Sequence, residues 1–192
     1  MDQPSQRHLY LCETILGSDA NVALVYSERS KKEAEMAHRL AEAKSMSVNL
    51  YYASGSREFL SRMTEILSQN DSLLVLADSE LYNEQTAKAI LLTSFRVGKP
   101  LISYSDSLVR AGGLAAVVST PKELGQQAGE VLTCLLSECD TVKEGGEWPR
   151  YYSVKLNNTI ARRLGINVAA EAAILEQVKT LEKLEGDEPL EY

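Results

Sequence analysis

The stretch LLVLADSELYNEQTAKAILLTSFRVGKPLISYSDSLVRAGGLAAVVS, residues 73–119, decides the fold. Its first apolar run, 73–77, stops on the polar turn Asp78-Ser79-Glu80, and an amphipathic segment follows over 83–97. A second apolar run, 100–104, stops on Ser105-Asp106-Ser107. Short apolar runs alternating with helical periodicity predict strand, helix, strand in a parallel sheet, because parallel neighbours need a crossover between them. The loops of such a sheet gather at the carboxyl ends of its strands, which is where open α/β sheets hold ligands. Both polar turns are therefore candidate site loops.

Upstream, the same pattern repeats. Leu9, Leu11, Cys12, Ile15 and Leu16 form a helical stripe ended by Gly17, and NVALVY, residues 21–26, reads as a buried strand. Ser30 with Glu33 predicts a capping box for a helix running to Lys44, with Ala34, Ala37, Leu40 and Ala41 on its inner face. Residues 48–52 form a second strand, 54–58 its loop, and Phe59, Met63, Ile66 and Leu67 the next helical stripe. The fold class is thus α/β, an open doubly wound parallel sheet with helical segments at the carboxyl terminus.

Downstream of Arg110 the pattern changes. Ala111-Gly112-Gly113 reads as a hinge-like break and 114–119 as a small-residue strand. Thr120-Pro121-Lys122-Glu123 then starts a helix to Ser137 with Leu124, Ala128, Val131, Leu132 and Leu135 on its inner side. A polar linker over 140–149 leads to the strand YYSVKL, then to a helix from Asn157 or Asn158 that Gly165 stops. A helical stripe with charged faces over 169–184 and the tail EGDEPLEY, expected to be disordered, complete the chain.

Composition excludes several functions. A net charge of −7 over 192 residues leaves no basic stripe for nucleic acid. No apolar run is long enough to cross a bilayer, and MDQPSQRH is too polar for a signal peptide. Cys12, Cys134 and Cys139 make neither a disulfide framework nor a metal-ligand spacing and read as buried or incidental thiols, so no metal is expected. No GxGxxG or GxxxxGK[ST] stands at a strand-to-helix turn, so no nucleotide cradle and no cofactor are expected. His8 and His38 lie away from the loop serines, which leaves no nucleophilic triad. A response-regulator receiver would need an acidic pair after the first strand and a lysine after the last; Ser27-Glu28 without that lysine does not answer it. No enzymatic step is expected.

The order VALVYSE, LLVLADSELYN, GKPLISYSDSLVRAGGLAAVVSTPKELGQQAGEVLTCLL and YYSVKLNNTIARRLGI resembles the periplasmic substrate-binding proteins of ABC transporters, in the group that includes receptors for aromatic amino acids. The resemblance runs from about Asp2 to Ile166. It implies one lobe of a type I periplasmic binding protein, a small-molecule solute, an ABC permease as partner if the protein is complete, and a periplasmic location. With no signal peptide at Met1, a natural start there would imply a cytoplasmic one. Family members have about a hundred further residues forming most of a first lobe. The implied organisation is a ligand-binding lobe over 1–112 plus 150–168, a strand and helix over 113–140 belonging to the otherwise missing lobe, and a terminal helix and tail over 169–192. The helix over 120–137 is then expected either to fold back on its own sheet or to be buried in a homodimer.

The carboxyl-end loops nominate Ser27, Glu28, Ser56, Asp78, Tyr82, Asn83, Tyr104 and Asp106 as solute-binding residues. Asp78 could accept hydrogen bonds from a solute amine, Tyr82 and Tyr104 offer aromatic faces with polar tips, and Asn83 both donates and accepts. Each also has an ordinary account, in capping or loop polarity. Arg110 and Gly112 are the candidate hinge residues, glycine permitting the dihedral change of closure. The alternative function is a solute-sensing or dimerising regulatory domain of the same fold with no transport role.

Overall fold

A computed structural model describes residues 3–137 and 148–184. Helix α1 (Ser5–Leu16) leads into β1 (Asn21–Tyr26), α2 (Lys31–Ala43), β2 (Ser47–Tyr52), α3 (Ser56–Ser68), β3 (Ser72–Leu74), α4 (Glu84–Val97) and β4 (Leu101–Ser103). There follow α5 (Asp106–Ala111), β5 (Ala115–Val118), α6 (Pro121–Leu136), β6 (Ser153–Leu156), α7 (Asn158–Leu164) and α8 (Glu171–Leu184). The strands form one sheet in the order β2-β1-β3-β4-β5-β6. All neighbours are parallel except β5 and β6, which run antiparallel from Ala115↔Leu156 to Val118↔Ser153.

Strand alternation sorts the core into two layers. Val22, Leu24, Val48, Leu74, Leu76 and Val117 face a layer built from α1, α2 and α8. Ala23, Val25, Leu73, Val75 and Leu101 face Phe59, Met63, Ile66 and Leu67 of α3 and Ile90 of α4. Helices on both faces of a mostly parallel sheet make the doubly wound class expected from the sequence. Both faces of the central strands are covered, which is why β1 and β3 read as unbroken apolar runs.

Three local expectations are corrected, and the break after Arg110 is located. Strand β5, assigned from sequence to another lobe, hydrogen-bonds to β4 and β6 in this sheet, because Ala115, Ala116 and Val117 are small enough to lie fully buried between the helical layers. The break at 111–113 is the end of the short helix α5: Gly112 is its cap at φ 135°, and a Cβ on Gly113 would stand 3.1 Å from the Leu108 carbonyl oxygen. The Ser30 hydroxyl does not cap α2 but turns to Asp78. Cys134 is disulfide-bonded rather than an incidental thiol. Cys139, most of the linker and the tail lie outside the described residues.

Helix α6 does not fold back on the sheet. Its capping box, Thr120 with Glu123, and its proline start stand as the sequence implies, yet none of its residues is buried. Its polar side is bonded to its own chain: Gln127 Nε2 donates to the Trp148 carbonyl and Gln127 Oε1 accepts from the Arg150 amide, while Glu130 Oε1 accepts from the Tyr151 hydroxyl. Leu132, Leu135 and Leu136 point to solvent.

Candidate functional site

Parallel β1 to β4 bring their following loops to one edge. Asp78, just past β3, is the hub of that edge and is fully buried. One carboxylate oxygen accepts from the Ser30 hydroxyl (2.6 Å), the Ser27 hydroxyl (2.7 Å) and the Ser27 amide (3.2 Å). The other accepts from the amides of Glu80 (2.9 Å) and Leu81 (3.3 Å). Burial pushes its pKa up, but the Ser30 and Ser27 hydroxyls and the two amides outweigh that and hold the carboxyl below its ordinary value. Asp78 thus closes the turn after β3 on itself and ties it to the loop after β1.

Tyr82 is buried at the end of the same turn. Its ring meets Phe59 edge-on with centroids 5.4 Å apart, and its hydroxyl donates to the Val25 carbonyl at 3.3 Å. Burial, then the charge of Asp78 and the Tyr104 phenol, push the Tyr82 phenol well above its ordinary value, so it stays neutral. Asn83 caps α4, its side-chain oxygen accepting from the Gln85 and Thr86 amides. The capping expectation at Asn83 is met in full.

The remaining candidates share the edge without meeting at one point. Ser27 is bonded to Asp78, and the neighbouring Glu28 is exposed. Ser56 is the first residue of α3, half-buried behind Gly55. The loops after β2 and β3 touch there, since a Cβ on Gly55 would lie 3.8 Å from Glu80 Oε1. Tyr104 is half-buried against the α3–α4 layer. Asp106 opens α5 and pairs with Arg110 at 2.7 Å, one turn along on the helix surface. Arg110 and Gly112 therefore lie between two strands of one sheet.

Sequence reasoning missed Ser30, which holds Asp78 as closely as Ser27 does. The signal was the Ser-x-x-Ser spacing of the loop, which a helix-cap reading absorbed. It also missed the cluster where α1, β5 and β6 meet at the same edge, around Gln3, Arg7 and Ser119. Among the described residues no group of three or more His, Cys, Asp and Glu side chains could hold a metal, and no helix is long and apolar enough to cross a membrane. Chemically, the accessible part of the edge offers the Glu28 and Asp106 carboxylates, the Ser56 hydroxyl and the Tyr104 phenol, a set suited to hydrogen-bonding a small polar molecule.

Comparison with known proteins agrees with the fold. The model of a family described as ABC transporter substrate binding protein matches residues 2–179. No curated protein matches the chain. Among solved structures, an ABC domain from Streptococcus pneumonia in complex with L-Trp superposes with a TM-score of 0.68 at 22% identity, over 91% of this chain and 59% of that one. A conserved domain protein from Vibrio cholerae gives 0.68 at 18%, over 91% and 59%. The ligand-free, open form of a substrate binding protein with adhesive properties from Clostridium difficile gives 0.71 at 17%, over 85% and 56%. The chain spans under two thirds of the length of each.

Proposed function

We propose, for a chain that belongs to the family of ABC transporter substrate binding proteins, that it is the solute-holding lobe of an uptake receptor and binds a small polar solute at the carboxyl edge of its sheet. The family is one of binding proteins, not of enzymes. The family match over residues 2–179 carries the reading, and the chemistry of the edge supports it. Glu28, Ser56, Tyr104 and Asp106 are the groups that touch solute, being exposed or half-buried on the loops. Asp78, Ser27 and Tyr82 hold the loop shape, and Asn83 orients α4 beneath it. An amino acid suits acceptors for an amine beside the aromatic face of Tyr104, and the L-Trp bound by a structural neighbour points the same way.

Transfer of the solute to an ABC permease and a periplasmic location follow from the same reading. The disulfide at Cys134 supports the location, because disulfides persist in oxidising compartments.

The test is a thermal-shift screen of amino acids and other small metabolites, on this chain and on a version extended by any upstream in-frame residues. A solute at a hundred times its Kd adds about 2.7 kcal/mol to stability. A selective rise for one compound class is expected, and a rise in the extended version alone places part of the site upstream. No rise in either, with both well folded, overturns the reading. A second reading, a dimerising or sensory domain without a transport role, is favoured by one observation: α6 turns Leu132, Leu135 and Leu136 outward, a face that a second copy of the chain would cover.

A further inference from the structure

Three stretches of chain meet at the carboxyl edge beside β5 and β6: the start of α1, the exit from β5 and the approach to β6. Gln3 Nε2 donates to the Ser119 hydroxyl at 2.8 Å, and that hydroxyl donates to the Tyr151 carbonyl at 2.6 Å. Arg7, itself buried, donates from Nη1 to Gln3 Oε1 at 2.7 Å and to the Pro149 carbonyl at 2.5 Å. Its Nε and Nη2 both reach Glu182 Oε1 of α8 at 2.8 Å. The guanidinium lies 3.9 Å from the centroid of the Tyr152 ring, whose hydroxyl donates to the other Glu182 oxygen at 2.5 Å. A planar five-donor group is the one side chain that can hold a carboxylate, an amide oxygen and a main-chain carbonyl while stacking on an aromatic face.

The residues this cluster grips also carry α6. Pro149 lies between Trp148, whose carbonyl accepts from Gln127, and Arg150, whose amide donates to Gln127 and whose side chain pairs with Glu130 at 3.7 Å. No residue of α6 is buried, and among the described residues its capped start at Thr120 and this chain of bonds tie it to the sheet edge, beside the disulfide at Cys134.

We propose that Arg7 is a positioning residue that fixes the direction in which α6 leaves the sheet edge, acting through the Pro149 carbonyl and braced by Glu182. Segments 119–120 and 149–151 are then the pivot of α6, and α8 is the brace that stiffens it. Neutralising Glu182 or removing the guanidinium frees the pivot while leaving the sheet intact. The effect on solute affinity rests on the receptor reading above; the mechanical role does not.

The test uses the whole chain carrying spin labels at Gln126→Cys on α6 and Lys88→Cys on α4, both exposed positions. The label-to-label distance distribution is measured with and without Arg7→Met, Glu182→Gln or Tyr152→Phe. A single narrow distribution is expected for the parent, broadened about twofold or split by Arg7→Met and less by the other two, as one discrete arrangement gives way to several. Ile174→Val, a core substitution on α8, is the control for lost stability and should leave the width unchanged. A distribution as narrow in Arg7→Met as in the parent overturns the proposal; should that variant not fold, Glu182→Gln and Tyr152→Phe decide in the same way. No solute enters this measurement, so a failed solute screen with a broadened distribution rejects the receptor reading alone. Bound solute with an unbroadened one rejects the pivot alone.

Discussion

Replacing Asp78 separates a buried structural hub from a solute ligand. Asp78→Ala strips the charged acceptor from three main-chain amides and two hydroxyls. The hydroxyls can rotate to other acceptors. The Leu81 amide is buried, and each buried amide left without a partner costs about 1–3 kcal/mol. With the Ser27 amide half-relieved by Ser30 Oγ at 3.2 Å and water partly filling the gap, the net loss is about 3 kcal/mol. In a chain of this size that lowers the melting temperature by about 6–12 °C. Asp78→Asn keeps an oxygen for Glu80 and Leu81 but turns a donor toward the Ser27 amide, and should cost about 1–2 kcal/mol.

The acid limb gives an independent check. Because the folded pKa of Asp78 is depressed, its stabilisation is complete above the unfolded value of about 3.9 and is lost as pH falls through the lower folded value. The gap between parent and Asp78→Ala should therefore narrow below about pH 4. Urea melts followed by circular dichroism at neutral and acid pH read both effects. A loss under about 1 kcal/mol at neutral pH would refute the hub argument and return Asp78 to the solute-contacting role the sequence suggested.

Two further outcomes follow from buried and exposed groups elsewhere. His8 lies inside α1 with Nδ1 unpartnered among the described residues, and burial, helped by the Arg7 charge, lowers its pKa from 6.5 to about 4. The unfolded chain therefore takes up a proton that the folded one does not, and stability falls by about 3 kcal/mol as pH drops from 6.5 toward 4; His8→Leu should flatten that slope in melts taken across the interval. On α6, Leu132→Glu combined with Leu135→Glu should leave the melt within about 0.5 kcal/mol of the parent, both side chains being 57% exposed, and should abolish any self-association seen by sedimentation. A loss of several kcal/mol would mean instead that α6 packs on its own lobe.

What the sequence determined by itself was the alternation. Residues 73–119 specify strands, helices and the edge at which their loops gather, because apolar periodicity and caps such as Asn83 and Thr120 are local properties of the chain. Its motif order also pointed to the family. Tertiary structure decided the partners of groups that can serve two masters. Ser30 could cap α2 or bond Asp78, and only the parallel pairing of β1 with β3 brings the carboxylate within 2.6 Å. Strand β5 could have belonged elsewhere until its pairing with β6, 35 residues away at Ser153 and Val118, was seen. Arg7 lies on a helix that the sequence marked only by its apolar stripe, yet two of its acceptors lie 142 and 175 residues distant along the chain. A long-range hydrogen bond leaves no periodic trace in sequence, since its geometry depends on where the whole sheet carries each end.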